Sequence, residues 1–129
     1  MTPKLILIRG IPGSGKSTFA RFIQSLDPTY ALYEADQFFI QIDGTYRYDP
    51  SKIKEAHKLC QKRVEYTLLH NGSAIVANTF VRKWELQPYI DMATELNIPH
   101  SIITMNGRFD SIHNVPESVI NRMQDTFEH

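Results

Sequence analysis

Residues 4–18 read KLILIRGIPGSGKST. Leu5 to Ile8 form an unbroken apolar run into a glycine-rich turn, the pattern of a strand buried on both faces of a parallel sheet. Gly10-xxxx-Gly15-Lys16-Ser17 has the full spacing of a phosphate-binding loop. Beyond it Phe19, Phe22, Ile23 and Leu26 recur at three- and four-residue steps, which predicts an amphipathic helix over 16–26. Asp27-Pro28 stops that helix. Strand, loop and helix follow one another in the order the motif requires.

Each residue type in the loop has a physical task. Gly10, Gly13 and Gly15 let backbone amides turn inward with no side chain in the way. Ile11, Pro12, Ser14 and Thr18 complete the cradle, and the helix N-terminus adds a partial positive charge. Lys16 brings a full charge to the β- and γ-phosphates, and the Ser17 hydroxyl is suited to a Mg²⁺ octahedron. The loop therefore predicts ATP with Mg²⁺. It does not say whether water or an acceptor hydroxyl attacks the phosphate.

Working outward, YALYEA (30–35) is a second expected strand, SAIVAN (73–78) a third and HSIITM (100–105) a fourth. Asp49-Pro50 reads as an N-cap followed by proline at the first helical position. It opens a long helix with Ile53, Cys60, Val64 and Leu68 on one face, closed by Asn71-Gly72. Residues 83–97 read as a helix with Trp84, Leu86, Tyr89, Ile90, Ala93 and Leu96 inward, and Pro116 opens a last helix carrying Val119, Ile120, Met123 and Phe127. Alternating strands and helices predict an α/β fold, a three-layer α/β/α sandwich on a short parallel sheet of about four strands. Residues 1–129 read as a single domain without repeats or linkers.

Composition narrows the class. The 129 residues are 42% hydrophobic and 22% charged, ordinary for a soluble globular protein. Fourteen Lys+Arg balance fourteen Asp+Glu, so the basic excess of an obligate nucleic-acid binder is missing. A lone Cys60 fits a reducing compartment, and no stretch has the length of a signal-peptide core or a membrane span. The expectation is a cytoplasmic protein with no membrane partner. Its oligomeric state is open.

Asp36 falls where the second strand ends, at the sheet edge where open α/β folds bind ligands. A carboxylate there suits a general base, and equally a helix N-cap before Phe38-Phe39. Arg47 lies between Tyr46 and Tyr48 in the polar loop DGTYRYDP (43–50). That trio suits a base-stacking, phosphate-gripping site, or a surface turn with aromatics at its rim. Arg82 beside Trp84 is a weaker version of the same pattern, with Trp84 expected in the core.

LILIRGIPGSGKSTFAR, YEADQFF, DGTYRYD, AIVANTFVRKWELQPYI and HNVPESVINRM, taken together and in order, resemble the kinase module of the bacteriophage polynucleotide 5′-hydroxyl kinase family. The later segments carry the specificity, since the phosphate loop is shared widely. The resemblance implies a four-stranded parallel sheet, a groove for the acceptor and a small lid over ATP. It implies that Asp36 is the general base, with Gln37 standing where the family has a second Asp. It leaves Asn78 and Thr79 to orient Asp36 or the acceptor, where their own pattern also fits a polar turn. Arg108, and after it Arg122, are the candidates for the lid arginine on the transferring phosphate; taken alone, each reads as a solvated charge.

The leading expectation is thus an ATP-dependent kinase acting on a hydroxyl, with a DNA or RNA 5′ end as acceptor. A hydroxymethylated DNA base or a small nucleoside-like molecule is the alternative acceptor. A phosphate-loop NTPase or an ATP-binding module without acceptor is the alternative class. Against a GTPase switch stand Ala77, where an Mg²⁺-binding Asp belongs, and the lack of an Asn-Lys-x-Asp motif.

Overall fold

Leu5–Arg9 forms β1, and it lies inside a four-stranded parallel sheet of order β2-β3-β1-β4. Its neighbours are β3 (Ser73–Asn78) and β4 (His100–Thr104), while β2 (Tyr30–Tyr33) pairs with the far side of β3. The computed structural model describes residues 2–107 and 115–129. The register sets Arg9 level with Asn78 on one side and Thr104 on the other. Consequently the loops that leave β1, β3 and β4 emerge together at one carboxyl edge.

The two central strands are buried on both faces, as their unbroken apolar runs require. On one face Leu5, Leu7, Ala74 and Val76 pack with Cys60, Val64 and Leu68 of α2 (Ile53–Leu69) and with Tyr89 and Ala93 of α3 (Gln87–Glu95). On the other, Ile8, Ile75 and Ala77 pack with Phe19, Ala20 and Ile23 of α1 (Lys16–Leu26). Helices on both faces of a parallel sheet make the α/β/α sandwich that the alternating pattern predicts. The last helix, α4, is Glu117–Thr126, and Ile120 is its buried residue. Among the described residues no helix is long and apolar enough to cross a membrane.

Several expectations of inward-facing residues are corrected. Phe22 and Leu26 of α1 are 56% and 71% exposed. The buried residue of that helix is Ala20, with Phe19 and Ile23 partly buried beside it, which leaves Phe22 on the flank and Leu26 at the last residue. Trp84 is 71% exposed, and residues Lys83–Leu86 form a 3₁₀ turn ahead of α3. A 3₁₀ turn repeats every three residues, so the 3.6-residue period that placed Trp84 inward does not apply there. Pro88 lies in the first turn of α3, where its missing N–H costs nothing. Phe127 lies one residue past the end of α4.

Candidate active site

The glycine turn between β1 and α1 is built by contacts that only glycine permits. Gly13 and Gly15 have φ of 81° and 92°, and Gly15 is the N-cap of α1. A Cβ at Gly10 would collide with Ser14 Oγ and sit 2.8 Å from the Met105 carbonyl. No side chain caps the helix, so the first amides of α1 are left for a ligand. Ser14 Oγ is buried, with no hydrogen-bond partner among the described residues. Amides, glycines and Lys16 at a helix N-terminus together form an anion cradle.

Lys16 is half-buried, and the charges of Asp36 and Glu34 act on it. Burial lowers its pKa, and the two carboxylates oppose that shift. One residue further on, the Ser17 hydroxyl donates to Glu34 Oε1 at 2.7 Å. These hydroxyl and carboxylate oxygens are the hard donors that Mg²⁺ prefers, in sites where phosphates and water fill the other positions. The residues present therefore fit a metal–nucleotide complex, and Ser17 would hold the metal directly.

Asp36 lies on a 3₁₀ turn, Ala35–Phe39, that follows β2. The N-cap of that turn is Glu34, so Asp36 occupies its first turn without being its cap. Two side chains hold the turn through three hydrogen bonds. Asn78 Oδ1 accepts from the Ala35 amide at 2.7 Å, Gln37 Oε1 accepts from the Glu34 amide at 3.2 Å, and Gln37 Nε2 donates to the Leu32 carbonyl at 3.2 Å. Asp36 itself is exposed, and the Tyr46 hydroxyl donates to its Oδ1 at 3.4 Å. Burial and the adjacent Asp36 charge push the Tyr46 phenol up to about 12.

The loop after this turn folds back on it. Ile40 bridges Tyr46, the Arg47 amide donates to the Phe39 carbonyl at 2.9 Å, and Gly44 takes φ of 86° at the bend. Phe39 meets Tyr46 and Tyr48 edge-on, with centroids 6.2 and 5.2 Å away. Both tyrosines are thus engaged with Phe39, while Arg47 between them is exposed.

The other expected site residues are spread more widely. Asn78 is buried, with its carbonyl on Ala35 and its amide nitrogen 3.8 Å from Cys60 Sγ, so it touches the Asp36 turn and not the solvent side where an acceptor would lie. Thr79 is half-buried, and its carbonyl accepts from the Gly10 amide at 3.2 Å, tying β3 to the phosphate loop. Arg82 is exposed at the start of the 3₁₀ turn before α3, and Arg122 is exposed on α4. Arg108, with His113 and Asn114, lies outside the described residues.

Two residues that sequence reasoning passed over contribute here. Glu34 is the extended N-cap residue of the turn that carries Asp36, and its carboxylate accepts from the Ser17 hydroxyl. Arg9 is buried at the end of β1, donating from Nε to the Phe80 carbonyl at 3.1 Å, with its guanidinium 4.2 Å over the Phe127 ring. It thereby fixes Phe80, which takes an unusual φ of 45°. A lone charge closing an apolar strand was the available signal.

A phosphate loop on the first, central strand, with a carboxylate turn beyond the second, defines the P-loop kinase-like α/β fold. The AAA domain family matches residues 5–108, and the chain belongs to it. Human NEDD4-binding protein 2 is 37% identical over 90 residues, covering 69% of this chain. The match spans only 5% of that relative's length. A chain of the Pnkp1/Rnl/Hen1 complex superposes with a TM-score of 0.67 at 26% identity, covering 94% of this chain and 38% of that one. The Mycobacterium tuberculosis APS kinase CysC, in complex with AMPPNP and APS, superposes with a TM-score of 0.58 at 16% identity, over 94% of this chain and 68% of that one.

Proposed function

We propose that the chain is an ATP-dependent phosphotransferase that moves the γ-phosphate of ATP to a hydroxyl, with the 5′-hydroxyl of a nucleic acid as acceptor. One observation carries this reading: Asp36, on the turn after β2, lies within electrostatic reach of Lys16 in the phosphate loop. A carboxylate in that place adjoins the end of the bound triphosphate, where an attacking hydroxyl must stand.

In the reaction, the acceptor hydroxyl passes its proton to Asp36 as its oxygen bonds to the γ-phosphorus. The bond from that phosphorus to the β–γ bridging oxygen breaks, and ADP leaves. Lys16 and the free amides of α1 offset the charge on the phosphates. Mg²⁺, which the Ser17 hydroxyl would help to hold, would supply further positive charge to the triphosphate. Asn78 and Gln37 keep the Asp36 turn in place. The lid arginine falls to Arg108, with Arg122 second.

Support for a nucleic-acid acceptor comes from the segments over 43–49 and 74–90, which resemble the polynucleotide kinase module. The same fold carries an APS kinase, so small acceptors belong in the test. The assay is transfer of radiolabelled γ-phosphate to a panel of 5′-hydroxyl oligonucleotides, hydroxymethylated DNA and nucleosides. Label at oligonucleotide 5′ ends is the expected result. Label found only as inorganic phosphate would make the protein an NTPase.

A further inference from the structure

We propose that Glu34 orients the Ser17 hydroxyl toward the divalent cation of a bound metal–nucleotide complex, an inference that rests on the nucleotide site proposed above. A hydroxyl has one hydrogen and two acceptor lone pairs. To ligate a cation, the oxygen must turn a lone pair to the metal and its hydrogen elsewhere. Ser17 already does the second, donating to Glu34 Oε1 at 2.7 Å.

Glu34 is held for this task. Its backbone is extended, with φ −137° and ψ 143°. Its amide is fixed by Gln37 Oε1, and Gln37 is in turn fastened to the Leu32 carbonyl. The carboxylate therefore reaches Ser17 from a braced strand end. Partners of this kind fix ligand orientation, and their loss costs about 10- to 100-fold in metal affinity. Glu34 also faces Lys16, and a mere counter-charge to that lysine would act on nucleotide binding with or without metal.

The two roles separate in titrations of ADP against the protein, in EDTA and in Mg²⁺. Glu34→Ala should lose about tenfold or more of the affinity gained from Mg²⁺, with metal-free affinity at or above wild type. Glu34→Gln should recover most of the gain, because its amide oxygen can still accept from Ser17. In a Ser17→Ala background, Glu34→Ala should add no further loss, as expected for two residues acting through one bond. A full Mg²⁺ gain in Glu34→Ala, a Gln variant as poor as Ala, or an additive loss in the double variant would each overturn the proposal. A wild-type protein with no Mg²⁺ gain at all would overturn the nucleotide-site reading itself, and this inference with it.

Discussion

Asn78 Oδ1 accepts the Ala35 amide hydrogen at 2.7 Å, so the last residue of β3 positions the turn that presents Asp36. Asn78→Ala would leave that buried amide unpaired, at a cost of about 1–3 kcal/mol. The expected outcome is a lower melting temperature together with a drop in kcat that exceeds any change in KM for ATP. Thermal melts and steady-state kinetics on the same preparation check it. Normal stability and turnover would show that the turn holds itself.

Lys16→Ala should abolish transfer while leaving the fold intact. The lysine is half-buried, and its desolvation outweighs the pull of Asp36 and Glu34, so its removal costs little stability. Circular dichroism melts near wild type combined with loss of labelled product are expected. Unchanged turnover would remove the ATP-site assignment.

Gly10→Ala should destabilise by about 1–3 kcal/mol, since the new methyl meets Ser14 Oγ and the Met105 carbonyl. Ser14→Ala removes one of these two obstacles and a buried hydroxyl without a described partner. The double variant should therefore melt above the sum of the single effects, a coupling readable from a thermal double-mutant cycle.

Much of this architecture was legible because the relevant signals are local. The apolar run at 5–8, the glycine spacing at 10–15 and the helix at 16–26 each depend on neighbouring residues only. Trp84 was misplaced because a 3₁₀ turn changes the period within an otherwise helical pattern. Strand order, and with it the level alignment of Arg9, Asn78 and Thr104, depends on pairings about 70 and 95 residues apart, which no window of sequence contains. Asn78 stands out in sequence as a polar residue after an apolar run, but its partner Ala35 contributes only a backbone amide, which no side-chain pattern marks. Glu34 meets Ser17 across 17 residues, a pairing that no local pattern marks.

Alkaline pH should unfold the protein partly through Tyr46. Its phenol is pushed up to about 12, so the folded state keeps the proton that the unfolded chain releases near 10. That contribution is present below about pH 10 and is lost as pH rises toward 12. Because Tyr46 is only half-buried, solvent screening holds the effect to about 1 kcal/mol or less. Tyr46→Phe should flatten part of the decline in melting temperature over that window. The remaining decline should follow Tyr89, whose burial raises it as well.

Asp36→Asn tests the centre of the proposed chemistry. Asparagine keeps the size of the side chain and can still accept from the Tyr46 hydroxyl, which lies 3.4 Å from Oδ1. It cannot take a proton at neutral pH. The turn is held by Asn78 and Gln37 rather than by Asp36, so its geometry should survive the change. Loss of a positioned general base costs about 10² to 10⁴ in rate. The expected variant melts near wild type, binds ATP within a few fold, and transfers phosphate at least about 100-fold more slowly. Removing the negative charge facing Lys16 should if anything favour the anionic nucleotide, which makes weakened ATP binding a poor explanation for lost turnover. Measured kcat for the preferred acceptor, beside the Kd for ATP, separates the two. A wild-type kcat in Asp36→Asn would mean that the acceptor proton goes elsewhere and that the carboxylate serves only to balance Lys16.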